Sequence, residues 1–571
     1  MRVLVFASAA PGSRHSGPTI VTLSVILFVV LFWRLGDASF WDPDEAHYAQ
    51  TTVELIQRGD WMAPFYNGAP FFDKPILFYW FQAIPMSLVP DPETAARLAP
   101  AVAGVLLVGV TAWFGFQLFG QAVGLTAALL LATNAGVFAL ARYAILDLPF
   151  TLFLFGGVAA ITVAMLQQRR GLEYGGYLLV GLANATKGPI ALVLCGVAFV
   201  LVCAVSAEAR RRLLALRWVQ GAVIALLPGL PWPAYMLWRF GWDFVNGYVL
   251  NENIKLFATP MYAGQPGWHF YLWIVLLGML PWTGMLLARA YETVRGYLAP
   301  PAEEGRPASE RRPDLVDILL WCWVVGIVAF FSFSRFKLDH YVFPASPALC
   351  LIAARAWHDA RAGRADRATW LGIRLIGPTL VVAGGVIAYA AAVLLDLPRG
   401  FFIVPAALVT AGAITAWRTR PGGHLPTWPV APVIAMLVVY VGALAWVMPR
   451  LEEGKAVPHV ARWVAEHASS GQRVAAFRLN RWNTAYRFYV GRPVTVIESD
   501  DDARAFFSDP SPYYVVMTHE LYEALRAAGV PLQIAYEREG RWVTSGKALW
   551  KRGGERTRFV VAAPAAAGTH P

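Results

Sequence analysis

Residues 98–119 read LAPAVAGVLLVGVTAWFGFQLF, a run of 22 residues without a charged side chain. About 20 mostly apolar residues are enough for a helix to cross the hydrocarbon core of a bilayer. Other stretches of the chain fit the same template, and together they predict thirteen membrane spans. The spans lie near residues 19–35, 98–119, 122–141, 146–166, 172–186, 188–206, 217–239, 269–290, 314–334, 340–357, 370–395, 400–417 and 428–449.

The composition excludes a large cytosolic enzyme. Of the 571 residues, 57% are hydrophobic and 15% are charged, whereas soluble domains carry about 25% charged residues. The charge is uneven, because residues 450–571 hold 30 of the 85 charged side chains and residues 1–449 hold the other 55. We therefore predict a membrane region over 1–449 and a soluble domain over 450–571.

The short loops between spans predict the orientation. One alternating set is rich in arginine, and it includes Arg169 with Arg170 and the group Arg210–Arg212. The other set is poorer in basic residues and contains the two longest loops, 37–97 and 240–268. Basic loops stay in the cytoplasm, so thirteen spans leave residues 450–571 outside, which in a bacterium is the periplasm. The span at 172–186 is short enough to be re-entrant, which would change this parity.

The net charge of +11 is therefore a topology signal, and we predict no nucleic-acid partner. The first span is followed directly by Arg34 and Asp37 and lacks a convincing cleavage site, which indicates an uncleaved signal-anchor. In the tail, alternating patterns predict an α/β domain. Its predicted strands are Val474–Phe477, Val494–Ile497, Tyr513–Met517 and Leu532–Tyr536, and its predicted helices are Val457–His467, Asp501–Phe507 and His519–Ala528.

Ionisable side chains near a membrane are costly and usually functional. In the predicted topology they concentrate at outer span ends and in outer loops. The set is Asp44, Glu45, His47, Asp73, Lys74, Arg142, Asp147, Lys187, Lys255, His269, Arg335, Lys337, Asp339 and His340. For Asp44 taken alone, a helix cap explains its position about as well as a functional role does. For a single lysine, snorkelling of the side chain to the membrane surface is a sufficient explanation. Cations that converge with carboxylates favour an anion site with a base beside it, at the outer interface.

Several motifs resemble a known family. The run Asp44-Glu45-Ala46-His47-Tyr48-Ala49, followed by Gly59-Asp60-Trp61, Asn67-Gly68 and Phe72-Asp73-Lys74-Pro75, is similar to the first periplasmic loop of the aminoarabinose transferases that modify lipid A. These enzymes are related to the protein O-mannosyltransferases of the GT-C class. Lys187-Gly188-Pro189 and the run from Lys337 to Pro344 resemble later family motifs. Asp73, His47 and Phe72 stand where Glu, Arg and Tyr are usual, which weakens the link to a lipid A acceptor.

The resemblance implies a GT-C fold, with about 13 transmembrane helices and a small periplasmic α/β domain, in the bacterial inner membrane. It assigns the catalytic carboxylate to Asp44, and we group Glu45 and Asp147 with it. Around the donor phosphate it implies Lys74, Lys187, Lys337 and Tyr341, to which we add Arg142. Carboxylates and histidines are also predicted on the outer face, and they suggest a divalent metal site at Asp73 and His269. No ligand spacing in the sequence supports this site strongly.

The implied reaction moves a sugar from a polyprenyl-phosphate donor to a hydroxyl or phosphate of a lipid, glycan or protein acceptor. A phosphate is already a good leaving group, so the site needs a base and cations more than a general acid. Direct attack would invert the anomeric carbon. Two alternatives stay open at this point. One is a lipid-linked sugar transporter or flippase, and the other is a scaffold that acts through residues 450–571.

Overall fold

The membrane region is built from helices. The computed structural model describes residues 16–259, 264–298, 314–479, 483–541 and 556–565. Six helices of these residues are long and apolar enough to cross a membrane by length and composition. They are Pro92–Phe119, Asp147–Gln167, Leu315–Phe333, Arg367–Leu394, Arg399–Arg418 and Val430–Glu453. The chain is therefore a multi-pass helical membrane protein, as its composition predicts.

In three further places, two successive helices meet at a bend and pass the same criteria only when they are counted together as one span. Counting these pairs raises the number of spans among the described residues to nine. Two pairs bend by 56° and 50°, and the third, Phe270–Gly278 with Thr283–Leu298, bends by 118°. The two milder pairs are Gln121–Ala132 with Ala135–Ala141 and Trp218–Gly229 with Pro231–Phe240. The sharpest break thus lies near residue 281. It does not lie in the segment 172–186, which the sequence analysis considered short enough to be re-entrant.

Four other predicted spans are also helical but shorter or less apolar. They are Ser16–Leu31, Arg170–Lys187, Ile190–Val205 and Ser346–Arg361. The last is apolar on most sides and lies in the protein interior, with residues 348–354 all buried. Every predicted span therefore contains a helix, but the number thirteen is not confirmed, since six to nine spans of the described residues meet the criteria.

The loop 37–97, which is predicted to face outward, folds into two helices joined by a tight hairpin. The helices are Asp44–Arg58 and Leu77–Leu88, and the hairpin pairs Phe65–Tyr66 with Ala69–Pro70. Its turn residues, Asn67 and Gly68, have φ of 52° and 82°, which a two-residue hairpin turn requires. The Glu54 carboxylate accepts from both of their backbone N–H groups, at 2.6 and 3.0 Å.

Residues 242–258 of the second long loop pack on the first. Helical segments Trp242–Phe244, Val245–Lys255 and Leu256–Ala258 follow one another without a break. Phe244 and Tyr248 belong to one buried apolar cluster with Leu55 and Tyr79 of the first loop. Burial of this shared cluster holds the two loops together and brings their polar residues into contact.

The tail forms a five-stranded mixed sheet. Its strand order is Thr495–Ile497, Arg473–Phe477, Tyr513–Thr518, Arg556–Pro564 and Leu532–Arg541. The first three strands are parallel, and the last two pair antiparallel. Alternate residues of each central strand enter two separate buried clusters, so helices cover both faces. These helices are Val457–His467, Asn483–Val490, Asp500–Ser508 and His519–Ala527.

The predicted α/β character of the tail is confirmed, with each predicted strand and helix present within one residue at its start. Two elements were missed. Strand Arg556–Pro564 was missed although it contains Thr557, Phe559, Val560 and Val561, which are usual strand formers. Helix Asn483–Val490 is only eight residues long, which is too short for a clear helical period.

Candidate active site

Asp44 is the first residue of the first-loop helix Asp44–Arg58. Its side chain makes no capping hydrogen bond to that helix, because the residue at the cap position is Pro43. The Tyr143 hydroxyl donates to Asp44 Oδ2 at 3.3 Å. The carboxylate therefore faces away from the helix backbone, and the capping explanation of Asp44 does not fit the structure.

The surroundings of Asp44 favour its protonated form more than water does. Burial raises the pKa of the Asp44 carboxyl above its ordinary value, and the negative charges of Asp73 and Asp147 add to the rise. The imidazole of His340 and the Tyr143 hydroxyl act in the opposite direction and lower that pKa. A carboxylate with a raised pKa is a stronger base once it is ionised, which suits proton abstraction.

Glu45, the next residue, has a different environment. Its side chain is completely buried, and its two oxygens accept from Arg97 Nε at 2.7 Å and Arg97 Nη2 at 2.9 Å. The backbone N–H groups of Trp41 and Ala144 also donate to Glu45, at 2.9 and 2.8 Å. Donors thus occupy both oxygens of Glu45, and its catalytic role stays a prediction. Its contacts fix the start of the helix that carries Asp44.

A cavity of about 1670 Å³ opens beside Asp44. Tyr143 and His340 share its wall with Asp44. Much of the remaining wall is apolar, and it includes Phe270, Ile274, Val275, Leu277, Leu444 and Met448. The cavity thus combines one polar end, where Asp44 lies, with membrane-type walls. That combination suits an amphiphilic ligand.

Two of the predicted phosphate-binding cations line this cavity. Lys337 is buried, and its Nζ donates to the Ser334 carbonyl oxygen. Arg142 Nη2 donates to the Arg34 carbonyl oxygen at 2.5 Å. Arg142 Nη1 is buried and has no hydrogen-bond partner among the residues that the structure describes. No carboxylate of those residues lies within 4 Å of either cation, so both keep their charge available to an anionic group.

Lys74 lies in a second group of charges, contributed by both outer loops. Its Nζ is 2.5 Å from Asp73 Oδ1 and 3.3 Å from Glu252 Oε2. Burial alone would lower the pKa of Lys74, but the two carboxylates raise it well above its ordinary value. Burial raises the pKa of Glu252 to about 7, whereas Lys74 overcomes burial and lowers the pKa of Asp73 to about 2. Lys74 is therefore a permanently charged centre beside a carboxyl that titrates near neutral pH.

Sequence reasoning missed Glu252. It lies in the loop 240–268, which was recognised as an outer loop, but only Lys255 was singled out there. A possible signal was the polar run Asn251-Glu252-Asn253 inside an otherwise aromatic and apolar helix.

Lys187 and Asp147 form the third part of the site. Lys187 Nζ is 2.5 Å from Asp147 Oδ1, and His340 Nε2 is 3.7 Å from Asp147 Oδ2. Lys187 Nζ also lies 4.9 Å from the ring centroid of Tyr341 and 5.2 Å from that of Phe150. Lys187 ends its helix beside Gly188, whose φ is 88°. Only glycine adopts this conformation without strain, so the turn explains the Lys187-Gly188-Pro189 motif.

The predicted site residues are thus brought together around Asp44 but in separate groups. Arg142 and Lys337 line the cavity. Lys74, Lys187, Asp147 and Tyr341 are not part of its described lining. The charges of Asp73 and Asp147 act on the pKa of Asp44, so these groups lie close to the same carboxylate.

The two residues considered for a metal are not joined in one centre. Asp73 binds Lys74, and His269 is exposed beside the Trp268 ring. Among the described residues no three His, Cys, Asp or Glu side chains form a group that could hold a metal ion. The chemistry of this donor set therefore does not fit a metal site at Asp73 and His269.

Known glycosyltransferases resemble this chain in sequence. Residues 21–246 match the family described as dolichyl-phosphate-mannose-protein mannosyltransferase. The predicted family resemblance is confirmed. The chain is 30% identical over 347 residues to the undecaprenyl phosphate-alpha-4-amino-4-deoxy-L-arabinose arabinosyl transferase of Aeromonas hydrophila, covering 59% of this chain and 60% of that protein. It is 32% identical over 349 residues to arabinosyl transferase 1 of Sodalis glossinidius, covering 60% and 59%. The chain thus spans about 60% of the length of these relatives.

Solved structures agree on the GT-C fold. ArnT from Cupriavidus metallidurans, bound to undecaprenyl phosphate, superposes with a TM-score of 0.71 at 21% identity, over 97% of this chain and 99% of that one. The archaeal oligosaccharyltransferase AglB from Archaeoglobus fulgidus superposes with a TM-score of 0.50 at 12% identity, over 88% and 69%. The predicted combination of a GT-C membrane region with a small α/β tail is therefore confirmed.

Proposed function

We propose that this chain is a membrane glycosyltransferase that moves a sugar from a polyprenyl-phosphate donor to an acceptor hydroxyl or phosphate. The observation that carries the proposal is the position of Asp44, a half-buried carboxylate in the wall of an amphiphilic cavity and close to the partly buried cations Lys74 and Lys187. The relatives support it, because their names describe transferases that use undecaprenyl phosphate sugars. They give no support to a transporter.

Asp44 is the base of the proposed reaction. It takes the proton from the acceptor O–H as that oxygen attacks the anomeric carbon of the donor. The bond from this carbon to the phosphate oxygen breaks, and its electron pair stays on the phosphate. The site therefore has to remove one proton at Asp44 and stabilise one developing negative charge on the leaving group.

Lys74 and Lys187 stabilise the leaving phosphate. Both are buried or nearly so, and a buried cation stabilises a developing charge much more than an exposed one does. Tyr341, whose ring lies against Lys187, contributes to the same wall. Arg142 and Lys337 line the cavity next to Asp44, and we assign them to the second substrate rather than to the donor phosphate.

The reaction inverts the anomeric carbon. Retention needs a second carboxylate that is free to act as a nucleophile. Two carboxylates whose charges act on Asp44 are Asp73, which binds Lys74, and Asp147, of which one oxygen binds Lys187 and the other faces His340. Asp147 therefore fits the role of holding Lys187 and His340 in place. This leaves Asp44 as the reactive carboxylate.

We further propose that the site opens at the periplasmic face of the bacterial inner membrane. The basic loops support this orientation through the positive-inside rule. In it, residues 1–449, including the loop 37–97, form the transferase region, and residues 450–571 form a periplasmic domain. The acceptor is a lipid, another envelope glycan or a protein.

The decisive test replaces Asp44 with Asn in the full-length protein. Transfer from a polyprenyl-phosphate sugar is measured in membrane vesicles, and envelope glycans and lipid A are compared by mass spectrometry. We expect Asp44→Asn to abolish product while the protein remains folded in the membrane. The matched control is Asp243→Asn, an exposed carboxylate of the second outer loop, which should keep full activity. Undiminished transfer by Asp44→Asn would refute the proposal.

A further inference from the structure

Four consecutive residues that precede Asp44 are bound by the C-terminal domain. Residues 39–41 have no regular secondary structure, and residue 42 begins the turn that leads into the helix of Asp44. Each of the four has a partner in the tail. Lys455 contacts Ser39 and Trp41, Tyr489 contacts Phe40, and Thr484 with Ala485 contacts Asp42.

Lys455 is the buried cation among these partners. Its side chain is 5% exposed, and its Nζ donates to the Ser39 carbonyl oxygen at 2.7 Å and to Ser39 Oγ at 3.1 Å. The same Nζ lies 3.8 Å from the ring centroid of Trp41 and 3.1 Å from Glu452 Oε2. A buried cation is stable only when its donors are satisfied, and here the segment before Asp44 supplies most of the partners.

Asp42 makes the second contact. It is 6% exposed, and its Oδ1 accepts from the Thr484 hydroxyl and from the Ala485 N–H, the latter at 2.7 Å. Both donors belong to the helix Asn483–Val490 at its first turn, where backbone N–H groups have no partner within the helix. Asp42 therefore caps a helix of the tail from the membrane region.

Phe40 makes the third contact. Its backbone N–H donates to the Tyr489 hydroxyl at 2.8 Å, and its ring packs edge-on against Phe488 at 4.8 Å between centroids. The Tyr489 hydroxyl donates in turn to Glu93 Oε1 at 2.7 Å. Glu93 also binds Arg462, at 3.0 Å. The contact thus extends from the loop to the start of the helix Pro92–Phe119.

The membrane region holds the same segment from the other side. Arg97, which binds Glu45, also donates to the carbonyl oxygens of Leu35 at 3.0 Å and Ala38 at 2.7 Å. The chain before Asp44 is therefore fixed between Arg97 on one side and Lys455, Thr484 and Tyr489 on the other. Loss of either side leaves the segment with too few hydrogen bonds to hold a single conformation.

We propose that the C-terminal domain positions the catalytic base, with Lys455 and Thr484 as positioning residues for Asp44. This inference rests on the proposed function. A catalytic group must be held within about 0.5 Å of its productive geometry, and a displacement of about 1 Å costs about 100-fold in rate. The tail is thus a required part of the catalytic unit and more than a covering domain.

The test compares Thr484→Val and Thr484→Ser in the full-length protein. Valine keeps the shape of threonine but loses the hydroxyl, whereas serine keeps the hydroxyl. We expect Thr484→Val to lower kcat about 10- to 100-fold with the KM for the donor unchanged, and Thr484→Ser to restore most of the activity. Thr495→Val, an exposed threonine of the edge strand, is the matched control and should behave as wild type.

Hydrogen exchange of residues 38–49 provides a measurement that does not depend on catalysis. Thr484→Val and Lys455→Met should both speed exchange in this segment, whereas Arg504→Met, which changes an exposed cation of the tail, should not. Wild-type kcat or unchanged exchange in Thr484→Val would overturn the inference. If wild type transfers no sugar but the exchange result holds, then the proposed function fails and the positioning contact stands. Tyr489→Phe tests the same segment if Thr484→Val fails to fold.

Discussion

Asp44 and Glu45 are consecutive carboxylates of one helix, and the protein surrounds them in opposite ways. Glu45 binds Arg97 through both oxygens and has no exposed surface. Among the residues that the structure describes, Asp44 has one hydrogen-bond donor, Tyr143, and it lines a cavity. Asp44 Oδ1 therefore has no donor within this part of the chain, whereas Glu45 ties the helix to the membrane region.

Replacement of Glu45 should reduce stability more than any change at Asp44. Glu45→Gln leaves the buried Arg97 without its counter-charge, and the loss of one partner of a buried ion pair costs about 3–5 kcal/mol. Thermal unfolding in detergent measures the effect. Glu208→Gln removes an exposed partner of Arg212 and should change the unfolding temperature little. An equal effect of the two variants would contradict the anchoring role of Glu45.

The pH dependence of transfer should report the raised pKa of Asp44. Because the base acts only when ionised, kcat/KM should rise with pH through a pKa above the usual carboxylate value of about 4. The Tyr143 hydroxyl lowers the pKa of Asp44. Tyr143→Phe removes that hydrogen bond, so the acidic limb should move to higher pH. A shift to lower pH, or none, would show that another group controls this limb.

Lys187 should contribute to the rate more than to folding. Loss of a preorganised group that stabilises developing charge typically costs about 100- to 1000-fold in kcat, and we expect this range for Lys187→Met. The exposed Lys255→Met, also in an outer loop, serves as the control. Steady-state kinetics separate kcat from the KM for the donor. A change in KM alone would mean that Lys187 binds the ground state and the leaving group equally.

Glu252 should make binding of the leaving phosphate weaker as the pH rises. Burial raises the pKa of Glu252 to about 7, so between pH 6 and pH 8 it ionises and neutralises part of the Lys74 charge. We expect the affinity for undecaprenyl phosphate, the leaving product, to fall about tenfold over this interval in wild type relative to Glu252→Gln, a difference of about 1.4 kcal/mol. The comparison with Glu252→Gln removes the effect of the second ionisation of the phosphate itself, whose pKa is about 6. Equilibrium binding in nanodiscs measures it, and parallel pH profiles of the two proteins would rule out this role.

Sequence reasoning reached what depends on local patterns. Apolar runs predict the helical membrane region, and alternating residues predict four of the five strands of the tail. In both cases the information lies within about ten residues of the chain, where periodicity and turn chemistry decide the structure. The site residues were instead predicted from the resemblance of the motifs around Asp44, Lys74 and Lys187 to a known family.

The contacts that assign roles are long-range, and these the sequence could not provide. Glu45 meets Arg97 across 52 residues, and Lys74 meets Glu252 across 178. Asp42 meets Thr484 across 442 residues. No local pattern encodes such pairs. As a result, sequence reasoning overlooked Glu252, and it could not show that Glu45 pairs with Arg97 or that the predicted phosphate-binding cations lie in separate groups.

The cavity beside Asp44 also bears on the fate of the donor between turnovers. At about 30 Å³ per molecule, its volume is enough for roughly 50 water molecules. In the proposed reaction, a base that deprotonates an acceptor hydroxyl also activates water, so a wet cavity would hydrolyse the donor without making product. The apolar walls contributed by Phe270, Ile274 and Leu444 favour lipid chains over water. In the proposed reaction, these walls limit the water that Asp44 can activate, and they so reduce the loss of the activated sugar before the acceptor arrives.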